Sequence, residues 1–147
     1  MATSITGSLR TSRILITIVS LMYGIIPPLV DLTETHVFHP DWTSHARFHM
    51  VWLLATNSGF AILALYLMWM SRLDAQFRVR AGGIIGLIVL GGFFISALTS
   101  SVYGGSLVDP IGGVPPIMGI DANLFIFSPM LAVVLIGLWL SSKGSSS

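Results

Sequence analysis

Two histidines four residues apart, His45 and His49, open the second long apolar stretch of the chain. On a helix that spacing puts both imidazoles on one face, one turn apart. There they could share a metal ion or handle a proton. They close a 19-residue segment, residues 31–49, that contains all four histidines, three of the six acidic residues and one of the seven basic ones. Almost everything outside it is apolar or small, so any chemistry is expected here.

Two kinds of chemistry fit these residue types. In the first, His45 and His49 join His36 or His39 and a carboxylate (Asp31, Glu34 or Asp41) around a transition metal. A nitrogen and oxygen set without sulfur suits zinc, iron, manganese or copper. Ala46 follows His45, so the general-base glutamate of the zinc-protease motif is missing. Four histidines are also too few for the histidine-box di-iron enzymes. In the second, no metal is needed: a histidine beside Asp31 or Glu34 acts as general acid and base. Arg47 then holds a carboxylate, enolate or phosphate oxygen. Such a site would isomerise, cyclise or hydrate a lipophilic substrate. A plainer reading stays open beside both: polar residues gather at a membrane interface because they are tolerated there, with Trp42 and Trp52 as belt aromatics.

The segment His39-Pro40-x-Trp42-x-x-His45-Ala46-Arg47-Phe48-His49 resembles the signature of small four-span membrane proteins of no settled activity, found in bacteria and fungi. Their pattern places an acidic residue and a Thr-His pair shortly upstream, matched here by Glu34 and Thr35-His36. The resemblance covers about 20 residues and implies architecture rather than mechanism. Size and span number are also similar to the DoxX-like and the anthrone oxygenase-like membrane proteins.

The rest of the chain must position this segment. Of its 147 residues, 54% are hydrophobic and 9% charged, and the mean hydropathy is +0.87. Soluble domains carry about 25% charge, so lipid is the expected solvent. The net charge of +1 offers nothing to nucleic acid, and the absence of cysteine excludes disulfides and thiolate ligands. Four apolar segments, about 14–30, 46–70, 82–103 and 121–140, approach the ~20 residues that cross a bilayer as a helix. The predicted fold is an all-α integral membrane four-helix bundle in one domain, with loops 31–45 and 104–120 on the outer side. Residues 1–12 read as a short polar tail. Transit-peptide and signal-peptide readings are set aside for an uncleaved first span, because no small-residue cleavage site follows it.

Orientation follows the basic residues. Arg10, Arg13, Arg72, Arg78, Arg80 and Lys143 fall on one side of four spans, and Arg47 alone on the other. This predicts N-in and C-in, in a bacterial inner (plasma) membrane. Pro27-Pro28 should kink or stop the first helix. Gly82-x-x-x-Gly86 allows close helix approach, within the bundle or in a homo-oligomer or membrane complex. The apolar 104–120 loop is expected to roof the site, with Asp109 folding over it. Thr99, Ser100, Ser101, Tyr103 and Asn123 would reach the site from the third and fourth spans. Asp121 should cap the fourth helix, Asn57 should bond to a neighbouring helix, and Asp74 should pair with Arg78. No internal repeat and no mid-membrane charge point to a transporter. The sequence therefore leaves two functions standing: an enzyme for a lipophilic small molecule, or a non-catalytic accessory or binding subunit.

Overall fold

The computed structural model describes residues 7–108 and 114–143. Among them are four helices and no strand: α1 (Gly7–Asp31), α2 (Ser44–Trp69), α3 (Ala75–Tyr103) and α4 (Ala122–Lys143). Each is long and apolar enough to cross a membrane. Helices are the form that such segments must take, because a helix pairs its backbone groups internally where lipid cannot.

The helices run up, down, up and down. Arg13 at the start of α1 sits 4.0 Å over the Trp69 ring at the end of α2. Ser12 on α1 donates to the Gly137 carbonyl of α4 across 2.6 Å, and Gln76 at the start of α3 donates to the Ser141 carbonyl across 2.8 Å. One rim therefore collects the starts of α1 and α3 and the ends of α2 and α4, with six of the seven basic residues. The opposite rim carries residues 31–49, 104–108 and 114–121.

In lipid, helices gain little from burying apolar surface against one another, so small residues that let them approach decide the packing. α1 and α3 meet along the diagonal, whereas α2 and α4 do not meet. Gly82, Gly83 and Gly86 are buried inside the bundle. A methyl group at Gly83 would stand 2.6 Å from Leu138 and 3.0 Å from Ile16. The Gly82/Gly86 face is thus used inside the bundle, one of the two uses that its spacing allows. Around it pack Val19, Tyr23, Ala61, Leu90, Met130 and Val134. A second cluster of Leu9, Ile16, Ala64, Met68 and Val79 continues the core toward the basic rim.

Several expectations need revision. Gly7–Ser12 are helical rather than a polar tail, and Leu9 and Ser12 are buried. Pro27-Pro28 do not end α1, which continues to Asp31. Proline removes a donor but preserves helical φ. The Gly24 carbonyl, which Pro28 cannot serve, accepts instead from the Ser58 hydroxyl of α2 at 2.8 Å. Ser58, and not Asn57, makes that interhelical bond. Asp74 caps α3 by accepting from the Phe77 amide, while Arg78 turns to the Ser71 carbonyl, so the two do not pair. Asp121 caps α4 as expected, accepting from the amides of Asn123 and Leu124.

Candidate functional site

The turn between α1 and α2 is a compact knot of short hydrogen bonds. Val37 donates to the Asp31 carbonyl at 3.0 Å, and His36 and Phe38 both donate to the Thr33 carbonyl. His39 then donates to His36, and Trp42 to His39. Val37, 3% exposed, is the buried residue of the knot. Thr43 ends it by capping α2, its hydroxyl accepting from the Ala46 amide at 3.2 Å.

This local folding separates the four histidines into two groups. His36 belongs to α1: its Nε2 lies 3.9 Å from an Asp31 oxygen, and its Nδ1 lies 2.9 Å from the Thr35 hydroxyl. Trp42 meets the same ring edge-on, with centroids 6.3 Å apart. His39 accepts the Asp41 amide at Nδ1 across 3.2 Å. That bond uses the Nδ1 lone pair, so neutral His39 carries its proton on Nε2.

His45 and His49 form the second group, on the first two turns of α2. Their Nε2 atoms are 3.0 Å apart, and the ring planes cross at 86° with centroids 4.4 Å apart. Trp52 stacks on His49 at 5.8 Å and 30°, and Phe48 meets it edge-on at 5.7 Å. Both histidines are exposed. At about 100° per residue, His45 lies roughly 180° around α2 from buried Leu54. The pair therefore faces away from its own bundle. Below it, Phe48, Val51, Trp52 and Ala55 line a shallow apolar groove.

On sequence alone the pair is expected against Asp31 and Glu34, beneath the ends of α3 and α4. The helical phase of α2 corrects that: Asp31 meets His36, and Glu34 is exposed. Among the described residues, no group of three or more His, Asp or Glu side chains could hold a metal ion. His36, His39, His45 and His49 do not converge on one point.

Arg47 lies on a different face from His45 and His49. Its guanidinium donates to the His39 carbonyl at 2.7 Å and to the Pro40 carbonyl at 3.5 Å. It thus fastens the knot to α2 instead of offering its donors to a ligand. Thr99 and Tyr103 bond back to Ile95 and Ser96 of their own helix. The described parts of the 104–120 loop are largely exposed and end in a tight turn, where Ile117 and Ile120 exchange both backbone bonds. Asp109 lies outside the described residues. Thr35 is a partner of the His36 ring that the spacing of the histidines did not reveal, although its adjacency to His36 was the available signal. The stacking of Trp52 on His49 was foreshadowed only by their i, i+3 spacing.

Comparison with known proteins adds a family and no activity. A family model described as "Family of unknown function (DUF6640)" matches residues 15–144. No curated protein and no solved structure matches the chain.

Proposed function

Because the chain belongs to the family of unknown function DUF6640, which brings no reaction with it, we propose a function from the site alone. The protein is an integral membrane protein, N-in and C-in, that binds an amphipathic small molecule at the outer rim. The observation behind this is the His49–Trp52 stack beside exposed His45, directly above the apolar groove of Phe48, Val51 and Ala55. Polar nitrogens at the interface would take a headgroup, and the groove below would take an apolar tail. The predominance of basic residues at the opposite rim supports the orientation, in a bacterial-type inner membrane. If the bound molecule is also transformed, proton transfer falls to His36 with Asp31, among the described residues the one imidazole paired with a carboxylate.

Native mass spectrometry of the protein released from lipid nanodiscs tests this reading. The wild type should retain one amphiphile that Trp52→Ala and His49→Ala lose. The same complement of bound lipids in all three would refute it.

The accessory-subunit reading has one observation in its favour, the outward direction of the His45/His49 face. A photo-crosslinking residue at position 48 that captures a stoichiometric membrane protein would establish it over the small-molecule reading.

A further inference from the structure

We infer that Arg13 and Arg78, both seated at the end of α2, form a binding site for the phosphate of an anionic membrane lipid. The site lies at the rim opposite the histidines and does not depend on the reading of the outer face.

Trp69 and Ser71, two residues apart, each hold one guanidinium. That of Arg13 lies 4.0 Å over the Trp69 ring, and the same indole donates from Nε1 to the Thr17 hydroxyl across 3.0 Å. Trp69 is thus pinned along α1 at residues 13 and 17, with the Arg13 charge on its face. The Ser71 carbonyl accepts from Arg78 Nη1. One cation from α1 and one from α3 are therefore drawn to the same end of α2. Packing keeps them at a similar depth, because Val79, next to Arg78, is buried with Leu9 and Ile16 on either side of Arg13.

No described side chain neutralises these charges. Among the described residues, no carboxylate lies within ion-pair distance of either arginine, and the Nε atoms of both are buried without a partner. Arg78 and Arg10 both act on the Arg13 charge, so like charges are gathered here. The rim has six basic residues against one acid, Asp74, and Asp74 is engaged in capping α3. The C-terminal end of α2 supplies about half a negative charge, too little for two guanidiniums. The general bias of basic residues to one rim accounts for exposed Arg10, Arg72 and Arg80. It does not account for Arg13, which is partly buried and about 9 Å along α1 from its start. Phosphate supplies the complementary chemistry, since a planar guanidinium binds its oxygens through paired N–H bonds. A basic pocket between membrane helices is the kind of site that takes lipid headgroups. Ile14, Ile18 and Leu21 are exposed on α1 directly beyond Arg13, an apolar track for an acyl chain that free phosphate would not use.

The experiment uses the full chain, delipidated in an uncharged detergent. It is titrated with phosphatidylglycerol, with phosphatidylcholine of the same acyl chains, and with inorganic phosphate, and bound lipid is counted by native mass spectrometry. The expected result is one phosphatidylglycerol per chain, held at least about 5-fold more tightly than phosphatidylcholine. Arg13→Gln and Arg78→Gln should each weaken it about 5-fold, whereas Arg72→Gln and Arg80→Gln, at the same rim, should leave it unchanged. Circular dichroism of each variant checks that the helices persist. Arg13→Lys, which keeps the charge and loses the planar fork, should fall between wild type and Arg13→Gln. With Arg78→Gln it carries the test if Arg13→Gln does not fold. Equal affinity for the two lipids, or an equal loss in all four Gln variants, would overturn the inference. Displacement of phosphatidylglycerol by inorganic phosphate at equal concentration would assign the site to a free anion and overturn the lipid. Trp52→Ala should keep the phosphatidylglycerol, which separates this site from the one at the outer rim.

Discussion

The Ser58 hydroxyl of α2 donates to the Gly24 carbonyl of α1 across 2.8 Å, at the point where Pro28 has no amide hydrogen to offer. This contact replaces one of the two backbone bonds that Pro27 and Pro28 remove, and α1 continues past them to Asp31, whose side chain lies 3.9 Å from His36.

Removal of that hydroxyl should be felt only where the proline is present. Ser58→Ala should cost about 0.6–1.7 kcal/mol in reversible unfolding from mixed micelles, the range for interhelical bonds in membranes. In a Pro28→Ala background the same change should cost less, because the backbone amide restored at position 28 can then serve Gly24. Equal costs in both backgrounds would show that the Ser58 bond is independent of the proline.

The glycines of the bundle should divide by their surroundings. Gly83→Ala meets Leu138 at 2.6 Å and Ile16 at 3.0 Å, and should destabilise by about 1–3 kcal/mol through overpacking. Gly24→Ala would overlap the Ala61 methyl, and Ala61→Gly should rescue it. Gly91 has open space, so Gly91→Ala should be neutral or stabilising by up to about 1 kcal/mol from helix propensity. Thermal unfolding of the three variants in one detergent gives the ranking.

Arg47→Ala should free the knot without unfolding the bundle. Its donors hold the carbonyls of His39 and Pro40, and bonds to a charged group contribute about 1.5–3 kcal/mol, less where water reaches them. Hydrogen exchange should accelerate at the amides of residues 36–42 and stay unchanged through α3. A protected knot in the variant would return Arg47 to a ligand-holding role.

The orientation can be read from labelling, since the chain has no cysteine. In intact cells, Thr35→Cys and Ser106→Cys should react with an impermeant maleimide, and Arg72→Cys only after permeabilisation. Labelling of Arg72→Cys alone would invert the topology.

Much of the architecture was legible because lipid imposes a simple constraint. Segments of about 20 apolar residues must become helices there, and four of them in succession pack up and down. The cap at Asp121 was legible for a similarly local reason, a side-chain oxygen meeting free amides two and three residues on. The histidine site was legible in place but not in arrangement. His45 and His49 had to share a face, because helical spacing is a property of the chain alone. Which way that face points depends on how α2 is rotated against α1 and α3, and residues far down the helix set that rotation. Leu54, Ala61, Ala64 and Met68 are its buried side, which turns the imidazoles outward and away from Asp31 and Glu34.

By itself, then, the sequence determined four apolar helices, their alternation, the segregation of charge to the two rims and the i, i+4 histidine pair. Each follows from composition or from the period of a helix. Only the tertiary structure decided that Gly82, Gly83 and Gly86 serve the interior, that Arg47 fastens a loop, and that the four histidines divide into two groups. Those outcomes rest on contacts between residues distant in the chain, where interhelical packing and a turn's own hydrogen bonds choose among arrangements that the local sequence permits equally.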